Sequence, residues 1–170
     1  MLVVVLLAIV TTQPQGRHVS ISEHVASRVW TYLLFATTLT VCGSLLILFA
    51  YRSLGQQLGM PAAYHVILAI AWGACVGTAW VPYPGPGRLG RIHQCLALTL
   101  AFSLAALVAC LPFATHVGTS LQLLSGAVAL WYLYTFYLYF TDESKRQYFL
   151  TFQSVNITSF LAIFILASVF

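Results

Sequence analysis

WTYLLFATTLTVCGSLLILFAY, residues 30–51, runs without a single charged side chain. Wound as an α-helix at about 1.5 Å per residue it reaches about 33 Å, enough to cross a hydrocarbon core about 30 Å thick. The rest of the chain has the same character. Of its 170 residues 61% are apolar and 6% are charged, and the mean hydropathy is +0.92. Soluble domains carry roughly 25% charged residues, so a water-soluble fold of this sequence could not cover its own surface. The expected fold is all-α, a polytopic transmembrane helix bundle formed by residues 1–170 as one domain, integral to a membrane and multipass.

Working outward from that stretch gives about six helices. Residues 1–12 are apolar but reach only about 18 Å as a helix, and they lack the basic start and small-residue cleavage site of a secretory signal. They are expected to form a shortened or tilted first helix. Ser20-Ile21-Ser22-Glu23 fits a capping box, with Glu23 three residues after an N-cap serine, so the second helix is expected to begin there and run to Tyr51. A connection over 53–59 follows, and Pro61 suits the first turn of a third helix ending near Val81. Pro82-Tyr83-Pro84-Gly85-Pro86-Gly87 cannot continue a helix, because proline lacks the amide donor and glycine adds backbone freedom. Helices four, five and six are expected over 91–113, 121–140 and 148–170.

The formal charge of +4 does not point to nucleic acid, since seven basic residues scattered over short loops supply no clustered phosphate-binding surface. Arg17, Arg28, Arg88, Arg91, Lys145 and Arg146 fall on one side of a six-helix arrangement and Arg52 alone on the other. The positive-inside rule then makes the first side cytoplasmic and puts both termini opposite. Cys42, Cys75, Cys95 and Cys110 lie inside apolar runs with no metal-finger spacing, which suits small packing residues.

Two sets of residues bear on helix packing. Ala69, Gly73 and Gly77 recur every four residues, a small-xxx-small pattern that lets two backbones approach in lipid, either inside the bundle or between copies. Gln153 and Asn156 are three apart in the first half of helix six, where the chain enters lipid. They are expected to point into the bundle and hydrogen-bond another helix or a bound polar headgroup. The aromatic run 131–140 suits a headgroup-level belt, with a lipid or pigment pocket as the alternative.

Chemistry concentrates on the basic side, which also holds Glu23, Asp142, Glu143, His18, His24 and His93. His93 with Glu23 and Asp142 forms a candidate catalytic set, in which an imidazole acts as general base and a carboxylate orients it. Each member also has a structural reading, as a cap, a solvated turn or an interfacial ring. No HExxH-type spacing is present, so no metal site is assigned. Haem is not expected either, because His65 and His93 open successive helices on opposite sides.

Several features in order resemble bacterial membrane proteins of undefined activity related to the GPI-anchor-remodelling and autophagy-modulator superfamily. These are Ile21-Ser22-Glu23 closing the first polar loop, Gly43 in the long helix, Gly77 and Trp80 near the end of helix three, the Pro/Gly loop, and Gly90 with His93 opening helix four. The resemblance implies a six-helix multipass protein, linked in eukaryotic relatives to lipid or GPI-anchor handling, and it singles out Ser22, Glu23 and His93. The chain departs from it in the short first helix and in the orientation that its charges suggest. The expected function is a non-enzymatic accessory subunit of a larger membrane complex or a lipid-interacting module. Membrane lipids and other membrane subunits are the expected partners, and no cofactor is expected beyond a bound lipid. An interfacial enzyme acting on a lipid headgroup is the alternative.

Overall fold

The computed structural model describes residues 29–82, 87–142 and 149–169, and over them the chain is a bundle of long apolar helices. α1 spans Val29–Phe49 and continues without a break through a π-helical segment, Ala50–Leu54, and a short turn, Gly55–Gln57. α2 is Ala62–Trp80, α3 is Arg88–Cys110 with a 3-10 extension Leu111–Phe113, α4 is Thr119–Thr141 and α5 is Phe149–Val169. All five are long and apolar enough to cross a membrane, so the chain is an integral, multipass membrane protein. Residues 1–12, the capping box at Ser20–Glu23, and Ser22, His18 and His24 lie outside the described residues.

The expected boundaries of the last four helices agree with these elements to within about three residues, but the end of the first does not. Residues 53–57, expected as connection, stay helical, and only Leu58, Gly59, Met60 and Pro61 link α1 to α2. Gly55 looks like a breaker in the sequence, yet here its missing side chain is filled by a neighbour. A Cβ at that position would lie 2.9 Å from Nε2 of His65. The Gly55 amide donates to the Ala50 carbonyl five residues back, and the Tyr64 hydroxyl donates to the same carbonyl at 3.3 Å. Tyr51 and Tyr64 each meet the His65 ring nearly edge-on, with centroids 5.4 and 5.5 Å away. Contacts from α2 therefore stabilise the wider π winding, and α5 packs against it from another side.

Lipid tails are as apolar as leucine, so close packing and interhelical hydrogen bonds hold such a bundle together. Gly43 of α1 lies against Cys75 of α2, a Cβ there falling 3.0 Å from Sγ. On the same seam Trp72 Nε1 donates to Ser44 Oγ and Trp80 Nε1 to Thr40 Oγ1, each at 3.0 Å. Gly77 of α2 receives Leu96 of α3 in the same way. Ala69 and Gly73, the other two members of the small-residue row, are exposed, and a Cβ at Gly73 would meet nothing within 4 Å. The connection 58–61 is clasped to the one after α3. His116 donates its amide to Leu58 O at 3.1 Å and Thr115 to Gly59 O at 3.4 Å.

The large buried apolar side chains gather toward this clasped end. They include Leu54, Tyr64 and Leu68, Leu107 and Leu111 of α3 and its extension, and Phe160 and Phe164 of α5. Toward the other end the buried faces of α4 and α5 are polar.

Candidate functional site

At that polar end α4 and α5 run antiparallel, and residues one turn apart on each helix meet. Tyr132 and Thr135 face α5, each only 2% exposed. The Tyr132 hydroxyl donates to the Asn156 backbone carbonyl at 2.6 Å, and Asn156 Nδ2 donates to Thr135 Oγ1 at 3.2 Å. Thr135 Oγ1 in turn donates to the Tyr132 carbonyl at 2.9 Å, so the hydroxyl hydrogen is used within its own helix. The result is a relay that ties α4 to α5 inside the span.

The relay is incomplete. Oδ1 of Asn156 and Oε1 of Gln153 are both buried and have no hydrogen-bond partner. Gln153 and Asn156 fall on the face of α5 that carries Phe160, Ile163, Phe164 and Ala167 into the core. The apolar span within α5 is Phe152–Val169, so Gln153 stands at its beginning and Asn156 about one turn further in. Two amide carbonyls one turn apart are therefore buried acceptors that find no donor among the described residues.

The sequence placed Tyr132 in an aromatic belt. Four neighbours do face outward, Trp131 at 40%, Tyr134 at 53%, Tyr137 at 63% and Phe140 at 50% exposed. Tyr132 turns inward instead, and so does Thr135, which was not singled out. The signal was present in their spacing, since Tyr132, Thr135 and Phe136 recur at i, i+3 and i+4 in a run dense enough with aromatics to hide a stripe.

The candidate catalytic set divides. Glu23 lies outside the described residues. His93 is in the second turn of α3, 4% exposed, with its Nδ1 bonded to the carbonyl of Val81, the residue that ends α2. A carbonyl only accepts, so Nδ1 carries the proton, and the ring joins the end of α2 to the start of α3 across the Pro/Gly turn. Asp142 follows the last turn of α4 at the same end, its amide donating to Leu138 O at 3.0 Å. The geometry thus gives His93 a structural bond to backbone. His65 and His116 lie at the opposite, clasped end, His65 against Gly55 and His116 beside Gly59. Among the described residues no three of His, Cys, Asp and Glu gather as a metal-binding group, and the four cysteines are free thiols.

Comparison with models of protein families, with curated proteins and with solved structures finds no match to the chain, so what the site can do is argued from the helices and side chains described above.

Proposed function

We propose that the protein is a lipid-interacting membrane module whose contact is the polar seam between α4 and α5. The observation that carries this reading is the buried carbonyl of Gln153, which finds no hydrogen-bond donor beside the seam. A buried polar group left without a partner costs roughly 1–3 kcal/mol. A lipid whose polar group reaches the seam removes that cost. The outward rings of Trp131 and Tyr134, 6.1 Å apart between centroids on the same helix, offer an exposed aromatic surface beside it for an apolar body. The lipid handling implied by the superfamily resemblance agrees with this reading.

An accessory role in a larger assembly draws on a different feature, the exposed Ala69 and Gly73 on α2, where a second helix could approach closely. A headgroup enzyme built on His93 would have to work through Nε2, since Nδ1 is bonded to the Val81 carbonyl.

Native mass spectrometry of the protein extracted from its own membranes in a mild detergent tests the lipid reading. Wild type is expected to retain a lipid adduct that Gln153→Leu loses. Loss of the amide also removes an unsatisfied group, so the lipid-free variant should melt at the same temperature or higher. Equal adducts on both proteins would remove the seam from the account.

A further inference from the structure

We infer that the outer face of α3 is a lipid site of its own, separate from the α4–α5 seam. There Arg88 and Arg91 hold the phosphate of an anionic phospholipid, and the face below them carries one of its acyl chains.

Arg88 and Arg91 are both exposed and stand three apart at the start of α3, so they are neighbours on one side of the helix. Among the described residues neither guanidinium has a hydrogen bond or an ion pair, and the first turn of α3 contains no acid. Side chains on a helix lean toward its N-terminus. Arg88 is also the first residue of its apolar span, so both arginines reach away from the hydrocarbon and toward the headgroups. A guanidinium offers a planar fork of donors that matches the oxygens of a phosphate, and two of them on adjacent positions can share one phosphate.

Further along α3 the same face continues as Ile92, Cys95, Thr99 and Phe102, all exposed. With the two arginines these positions fall within about 100° of arc at 3.6 residues per turn. From Arg91 to Phe102 the helix rises about 17 Å, close to the roughly 15 Å of hydrocarbon in one leaflet. The Thr99 hydroxyl donates to the Cys95 carbonyl at 2.8 Å, so its hydrogen is used within the helix and the track stays apolar in effect. Where the track ends, the Phe102 ring packs on Phe136 of α4 with centroids 4.6 Å apart, an aromatic ledge at the α3–α4 edge. A free phosphate ion would use the guanidinium pair alone, whereas a lipid uses pair and track together.

The charge of this end of the bundle selects among lipids. The chain from α2 into α3 and from α4 into α5 contains Arg88, Arg91, Lys145 and Arg146 against Asp142 and Glu143, an excess of two bases, while Arg52 stands alone near the clasped end. Asp142, the one acid among the described residues, makes no ion pair with either arginine. Such an excess beside a membrane surface favours a lipid with net negative charge over a zwitterionic one, whose cationic group offsets its phosphate.

The test is native mass spectrometry of the delipidated full chain in a mild detergent, titrated with dioleoylphosphatidylglycerol or dioleoylphosphatidylcholine. Wild type should bind the first phosphatidylglycerol about twentyfold more tightly than phosphatidylcholine. Arg88→Gln and Arg91→Gln should each weaken phosphatidylglycerol binding about fivefold, the scale of one basic residue at an anionic surface, and together they should abolish the preference. Arg52→Gln and Gln153→Leu should bind phosphatidylglycerol as wild type does, which separates this site from overall charge and from the seam. Glycerol phosphate in large excess should not displace the lipid. Because both arginines are exposed, the double variant should melt with wild type in detergent alone, and added phosphatidylglycerol should raise the melting temperature of wild type only. Equal binding of the two lipids by wild type, or an unchanged preference in the double variant, overturns the site. A loss in Arg52→Gln as large as in the double variant overturns it in favour of overall charge, and displacement by glycerol phosphate overturns the lipid as its occupant.

Discussion

Two glycines show how much a residue's neighbours decide. Gly59 has φ +60°, a conformation that costs other residues about 1–2 kcal/mol, and a Cβ there would overlap Thr115 Oγ1. Gly73 is helical with nothing within 4 Å. Gly59→Ala is expected to lower the melting temperature in detergent by about 5–10 °C, taking about 2 kcal/mol or more and a few degrees per kcal/mol for a chain of this size. Gly73→Ala should leave it unchanged or raise it slightly, since alanine is the better helix former. Equal effects at the two positions would mean that the clasp between 58–61 and 114–118 does not hold the protein together. Asn156 is likewise divided within one side chain, its Nδ2 finding Thr135 while its carbonyl, like that of Gln153 one turn away, finds no donor among the described residues.

The joint between α2 and α3 is closed by a side chain. α2 stops at Trp80, and Val81, in extended conformation, presents its carbonyl to His93 in the second turn of α3. A histidine serving that joint and a histidine serving catalysis differ in what its removal does. His93→Ala is expected to destabilise the protein by about 1 kcal/mol and to raise amide exchange in the last turn of α2 and the first turns of α3. Unchanged exchange in both segments would contradict the structural role. The π segment of α1 is a similar case. Nothing in Ala50-Tyr51-Arg52-Ser53-Leu54 by itself calls for a wider helix, and the winding is held by the Tyr64 hydroxyl on the Ala50 carbonyl and by His65 in the gap at Gly55.

Over the described residues successive helices alternate in direction, so the two ends of the bundle differ in kind. One end has the clasped connections 58–61 and 114–118, with His65 and His116. The other has the α2–α3 turn, His93 and the end of α4. In a background with its four cysteines replaced, Gln57→Cys and Thr115→Cys should react with an impermeant thiol reagent from one side of sealed vesicles, and Asp142→Cys from the other. Labelling of all three from the same side would overturn the alternation. The positive-inside rule assigns the Asp142 side to the cytoplasm, and the same experiment decides that orientation. Packing is uneven along the membrane normal as well. Bulky apolar side chains fill the clasped half, and the relay of Tyr132, Thr135 and Asn156 occupies the α4–α5 seam in the other.

The sequence by itself determined the solvent, the helical class and the boundaries of most spans, because runs such as 30–51 leave a backbone in lipid only one way to satisfy its polar groups, and proline and glycine end a helix locally. It also marked Gln153 and Asn156, since amides are rare at that depth. Tertiary structure alone decided the winding through 53–57, the inward turn of Tyr132 and Thr135, and the division of the Ala69, Gly73 and Gly77 row into a packed end and an open one. Each depends on which neighbour stands across from a helix face. Where every face is apolar or aromatic, periodicity no longer distinguishes the side toward the bundle from the side toward lipid, and only the positions of the other helices do.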